Sequence, residues 1–297
     1  MTDYAETITP EVGRYGVWAG NRVHPTPELA ARLEGLGFGA LWLGSAAADL
    51  ELVEAMIAAT ERITIATGIV NIWTGDPHEL ADAYHRVEEA HPGRVLLGIG
   101  AGHPESAGDG ARRPLGAVAD YLDVLDDALV PRERRVLAAL GPRMLELARE
   151  RAAGAHPYLV TPSFDAGARG ILGPDRLLAT EQRVVLRADA AAARELGRPS
   201  VDRPYLGLAN YLASLRRLGF GDEDLESPGS DRLIDELVVS GDDAAIAGRL
   251  DEHLRAGADH VALQLVSADG DDIPAAYARL ARAVGMQGAG TGSPVAG

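Results

Sequence analysis

The chain has 297 residues, 46% of them hydrophobic and 24% charged, enough for one large α/β domain or two small ones. It contains no cysteine, which excludes a disulfide framework, a thiolate nucleophile and a cysteine-ligated metal. With 28 Lys and Arg against 44 Asp and Glu the net charge is −16, and no basic block relieves it, which argues against nucleic-acid or anionic-membrane partners.

The N-terminus, MTDYAETITPEVGR, has no basic region followed by an apolar core, and no apolar run approaches membrane-spanning length, so the cytoplasm is the expected location. Residues 13–18 (GRYGVW) read as a first strand. Thr26 and Pro27 start a helix whose apolar face is Leu29, Leu33 and Leu36, with Gly37 as its stop. Residues 40–43 (ALWL) are a second strand, ending in Gly44-Ser45, and Asp49 caps the next helix. The stretch 63–105 organises the chain. Two apolar runs, 63–70 and 95–99, flank one amphipathic helix over 77–89 that opens with Asp76-Pro77. Continuous apolar runs predict strands buried on both faces, hence a parallel sheet with the helix as crossover. Both strands end in small-residue turns, Thr67-Gly68-Ile69-Val70-Asn71 and Gly100-Ala101-Gly102-His103, that face the same way. Ligands bind at such strand ends in α/β folds.

A polar loop leads to a helix over 114–129. Strands are predicted at 135–140 (RVLAAL), 158–160 (YLV), 183–186 (RVVL) and 260–266 (HVALQLV), with helices at 142–153, 242–256 and 274–284. Residues 164–181 have no clear period. A long helical and loop stretch, 201–237, interrupts the alternation late in the chain, and the glycine-rich tail 286–297 reads as disordered. Strand and helix alternate about eight times, which fits a single-domain (β/α)8 TIM barrel over residues 1–285 with an insertion late in the barrel. The first strand is followed by GVWAG rather than GxGxxG, which argues against a doubly wound dinucleotide fold. No HxH, HExxH or GxSxG is present, so no metal site and no serine hydrolase elbow is expected.

The segments LWLG (41–44), ATGIVNIWTGDP (66–77), RVLLGIGAGHP (94–104), GAHPYLVTP (154–162), YLGLANYLASLRRLGF (205–220) and GADHV (257–261), in that order, resemble the luciferase-like monooxygenase family, and within it the coenzyme F420-dependent oxidoreductases. The resemblance implies a (β/α)8 barrel binding a deazaflavin across its C-terminal mouth and passing a hydride between it and a small organic substrate. It implies a non-proline cis peptide at Gly68–Ile69, with Ile69 pressed on one face of the ring. Thr67, Gly68, Ile69, Asn71, Gly100, Ala101 and Gly102 are the candidate ring contacts. Thr161, Ser163, Gly167 and Arg169 are candidates for the phosphate end, with Asp165 an unfavourable neighbour. His103 and Ser45 are the candidate catalytic groups; relatives often carry a carboxylate at the first position and Asp-His at the second, so Ser45-Ala46 departs from the pattern. Trp73, His156, Asn210 and Tyr211 are expected to face substrate. Two other readings stay open: FMN and oxygen in place of F420, and a non-catalytic barrel. A homodimer is compatible with the resemblance.

Overall fold

The computed structural model describes residues 11–20, 23–102 and 113–286. Ten parallel strands carry the fold: β1 (Tyr15–Ala19), β2 (Ala40–Leu43), β3 (Thr64–Thr67), β4 (Val70–Asn71), β5 (Val95–Gly100), β6 (Arg135–Leu137), β7 (Gly154–Ala155), β8 (Leu177–Val185), β9 (Val238–Ser240) and β10 (His260–Leu265). They follow the order β1-β2-β3-β5-β6-β7-β8, and β10 pairs with both β8 and β1, which closes a barrel. β4 continues the line of β3, and β9 lies along the C-terminal part of β8, so eight strand positions surround the axis. This is the expected (β/α)8 barrel. No helix among the described residues is long and apolar enough to cross a membrane.

The helices form where the sequence places their starts. Thr26 accepts the Leu29 N–H, and Asp76 accepts those of His78 and Glu79 ahead of the Pro77–Ala90 crossover helix. Side chains on the outer strand faces pack against the helices in one large core that includes Val17, Leu41, Ile65, Leu97, Val184 and Leu263. Inner faces meet in a smaller cluster around Trp42, Ala66, Leu96, Val136 and Ala262, which fills the barrel as side-chain layers do. A third cluster, with Val201, Leu215, Phe220, Leu233 and Leu237, is built largely from the insertion and sits against β8 and β9.

Two strand positions differ from expectation. The sixth strand is Gly154–Ala155, and residues 158–160 are not a strand: Leu159 has φ 57° and turns the chain away. Gly154 permits the tight pairing, since a Cβ there would lie 1.8 Å from the Leu177 carbonyl oxygen. The unparsed region resolves into a helix, Pro162–Leu172, and the first half of β8.

Candidate active site

At the C-terminal end of the barrel the third strand position contains a splice. From Ala66 to Val70 the chain advances four residues, while its neighbour advances three, from Leu96 to Ile99. The extra residue makes a β-bulge, and bulges re-aim the chain at functional rims. Thr67 holds it: its hydroxyl donates to the Gly98 carbonyl (2.9 Å) and accepts the Gly98 N–H (2.6 Å). Thr67 is buried and so engaged, which makes it a tether rather than a ring contact. The Gly68–Ile69 bond is trans, contrary to expectation; among the described residues the cis bonds are Arg203–Pro204 and Ser227–Pro228. The bulge makes the bend by inserting a residue, so the chain turns there without a cis bond.

The rim formed by β4 and β5 is closely interlocked. Asn71 Oδ1 accepts the Trp73 N–H (3.0 Å), and Trp73 Nε1 donates to the Ala101 carbonyl (2.7 Å). A Cβ on Gly102 would lie 2.5 Å from Asn71 Nδ2, and one on Gly100 would lie 2.9 Å from both Ile69 Cγ2 and Ala138 Cβ. Ser45 is exposed on the adjoining loop, where Ala46 donates its N–H to the Ile69 carbonyl. The structure therefore brings Ser45, Gly68, Ile69, Asn71, Trp73 and Gly100–Gly102 together. His103 lies outside the described residues, as does the tail beyond Met286.

Trp18, at the end of β1, crosses from this rim to the opposite wall. A Cβ on Gly44 or Gly20 would come within 2.3 or 2.6 Å of its indole, and one on Gly68 within 3.1 Å of its Nε1. The absence of side chains at these glycines is what lets the indole lie there. Its ring centroid is 5.0 Å from that of Tyr158. Beyond Trp18 is a cavity of about 280 Å³, walled by Tyr158, Tyr205, Arg183, Gln264 and Leu196 and opening past the exposed Arg203. Its volume is near the lower end for small-molecule sites.

Arg183 forms the inner wall and is 1% exposed. Its Nη2 donates to the Tyr158 hydroxyl (2.8 Å), which donates in turn to Gln264 Oε1 (2.8 Å), and the guanidinium lies over the Tyr158 and Tyr205 rings at 4.8 and 5.1 Å. Among the described residues, Arg183 Nε and Nη1 have no hydrogen-bond partner. Burial opposes its charge, but the Tyr158 hydroxyl and the Glu181 carboxylate outweigh burial and raise its pKa. Burial pushes the Tyr158 hydroxyl well above its ordinary range, so it stays protonated.

Further expectations are corrected. His156 does not face the cavity. It is buried inside the barrel, stacked on Trp42 (centroids 4.1 Å apart), with Nδ1–H on the Ala179 carbonyl. Arg169 is not available to a phosphate. It sits in the last turn of its helix and donates to the carbonyls of Gly257, Gly173 and Arg176 and to Asp259, the residue before β10, at the end of the barrel away from the mouth. Of the other phosphate candidates, Thr161 and Ser163 hydrogen-bond each other at 2.8 Å and Gly167 is exposed along the same helix. Asp165 is no neighbour of an anion site: it is buried between helix and barrel, accepting from Thr180 and from His253 Nδ1. Gln182 donates its amide to two carbonyls, so its oxygen faces His253 Nε2 at 2.6 Å. Finally, Tyr211 is buried against Tyr205 and Asn210 is exposed, and neither lines the cavity. The residues missed by sequence reasoning are Trp18, Tyr158, Arg183, Arg203, Tyr205 and Gln264. The signal for Arg183 was a buried strand, LLATEQRVV, carrying polar residues on both faces.

The family model for luciferase-like monooxygenase matches residues 6–260. The chain belongs to the luciferase-like monooxygenase family. No curated protein sequence matches it. Among solved structures, an F420-dependent secondary alcohol dehydrogenase in complex with an F420–acetone adduct is 17% identical with a TM-score of 0.69, covering 92% of this chain and 99% of its own. The coenzyme F420-dependent tetrahydromethanopterin reductase of Methanopyrus kandleri is 17% identical (TM-score 0.65; 92% and 98% covered). The oxygenating constituent of 3,6-diketocamphane monooxygenase of Pseudomonas putida, in complex with FMN, is 14% identical (TM-score 0.63; 92% and 96%). At such identities the likeness shows the fold of this luciferase-like chain.

Proposed function

We propose that this luciferase-like barrel is an oxidoreductase that transfers a hydride between coenzyme F420 and a small organic substrate at its C-terminal mouth. The observation that carries the reading is Trp18, laid across Gly44 and Gly68 and facing an aromatic-walled cavity. Three adjacent strand positions, at Gly44, Gly68 and Gly100, present no side chain inward; the Trp18 indole and Ile69 occupy that space, and a flat heterocycle would stack on the face that Trp18 turns to the cavity. The residues for the phosphate end do not fit as first read, because Arg169 is engaged elsewhere. When bound, the deazaflavin supplies the hydride chemistry; the protein binds, orients and excludes water.

Trp18 and Ile69 would hold the ring, and the backbone of Gly100–Gly102 would approach its edge. Tyr158, kept protonated by burial, gives its O–H to Gln264 and holds Arg183 at the cavity wall. His103, directly after Gly102, is the proposed proton donor or acceptor, and Ser45 a hydrogen-bonding group at the rim. The protein would work in the cytoplasm, alone or as a homodimer, on a small molecule rather than a nucleic acid.

FMN with oxygen is the second reading, favoured by the FMN-bound structure among the similar folds. Titrating the protein with F420 and with FMN, followed by fluorescence quenching, separates the two. Saturable binding of F420, tighter than that of FMN, is expected. Preference for FMN selects the monooxygenase reading, and binding of neither leaves a non-catalytic barrel and ends the proposal.

A further inference from the structure

The chain carries 44 acidic residues and a net charge of −16, yet among the described residues lining the mouth cavity there is no Asp or Glu. Two arginines line it instead, Arg183 at the inner wall and Arg203 at the opening. Among the described residues Arg203 reaches only Asp202, at 3.8 Å, with its side chain 89% exposed. Arg183 makes no ion pair among the described residues, and two of its nitrogens lack an acceptor although it is buried. A buried guanidinium with donors unmet is costly unless something completes it. Glu181, buried two residues away on β8, offsets part of the Arg183 charge but does not line the cavity, whose lining carries Arg183 and Arg203 and no carboxylate among the described residues, opposite in sign to the whole molecule.

The rest of the wall limits what the anion is attached to. Val23, Leu196, Pro199 and Leu265 give apolar surface, and Trp18 and Tyr158 give aromatic faces. We infer that the cavity binds the substrate as a small organic carboxylate, its acid group on Arg183 and its apolar body against Trp18 and Leu196. Arg203 draws the anion to the opening, and Arg183 fixes it within. This names the substrate class for the oxidoreductase proposed above and rests on that reading for its catalytic meaning, but the binding site stands on the cavity alone.

Benzoate and benzamide are isosteric probes that differ in charge. The full-length protein, without added cofactor, is titrated with each by calorimetry and by tryptophan fluorescence. Benzoate is expected to saturate and to bind about tenfold or more tightly than benzamide, the worth of a hydrogen bond to a charged group. Arg183→Gln should remove that preference, and Arg203→Gln, at an exposed position, should weaken benzoate about two- to fivefold. If Arg183→Gln fails to fold, Arg203→Gln carries the test. Equal affinity for the two probes, or wild-type benzoate affinity in the variant that folds, overturns the inference. So does displacement of bound F420 or FMN by benzoate, because the acid would then occupy the cofactor's seat. Benzoate binding without binding of either cofactor leaves the site standing and removes the oxidoreductase reading; cofactor binding without benzoate does the reverse.

Discussion

Lowering the pH from 8 to 5 should destabilise the barrel through two histidines in its interior. His260 donates Nδ1–H to the Gly13 carbonyl and accepts the Trp42 indole N–H at Nε2 (3.0 Å); His156 donates Nδ1–H to Ala179 and stacks on Trp42. Both rings are neutral in these roles. Burial, the main cause, lowers each from 6.5 to about 4. Between these two values the unfolded chain binds the extra proton and the folded barrel does not, so stability rises with pH through this window. A tenfold change in proton affinity is about 1.4 kcal/mol, so by pH 5 each ring costs about 2 kcal/mol, and the pair about 4. Asp165 and Glu181, raised by burial, act in the opposite direction and gain stability as pH falls. The comparison must therefore be between proteins. Urea unfolding at pH 8 and pH 5 is measured for the wild type and for the His156→Gln, His260→Gln double variant. The wild type should lose about 4 kcal/mol more than the variant. Equal losses would refute the neutral, buried assignment of the two rings.

Replacing Asp165 by Ala leaves His253 with an unmet buried hydrogen-bonding group and should cost about 1–3 kcal/mol in chemical unfolding, with cofactor affinity unchanged in the protein that remains folded. Arg169→Met removes the cross-link from helix to Gly257 and Asp259 and should cost about 2 kcal/mol or more without weakening F420; a selective loss of F420 would restore it as a phosphate ligand. Gly44→Ala drives a methyl to 2.3 Å from the Trp18 indole, and should cost about 1–3 kcal/mol in thermal unfolding while altering tryptophan emission; unchanged emission would show that the indole does not lie there.

The barrel was legible because its strands are apolar on both faces and its helices start with recognisable caps. Ile63–Val70 and Val95–Ile99 with the Asp76-capped crossover between them show both. The sixth strand was not legible: two residues, Gly154 and Ala155, make no hydrophobic run, and they pair only because glycine allows the close approach to Leu177. The first half of β8 hid for the opposite reason, while its end was read as the strand at 183–186. Glu181 and Arg183 point inward and Thr180 and Gln182 meet Asp165 and His253 outside, so the strand lacks the apolar signal. The glycine rim was read from composition, and the structure assembles it, but the trans bond at Gly68 and the indole of Trp18 follow from packing between distant segments. Arg169 was misplaced because a helix after a strand end reaches both ends of the barrel, and sequence position alone does not say which end its last turn meets.

A crystal soaked with F420 locates the ring. The deazaflavin is expected at the C-terminal mouth, against Trp18 and Ile69, with the Arg183 cavity beside it. Crystals that take up no F420, or that bind it away from Trp18, would contradict the proposal.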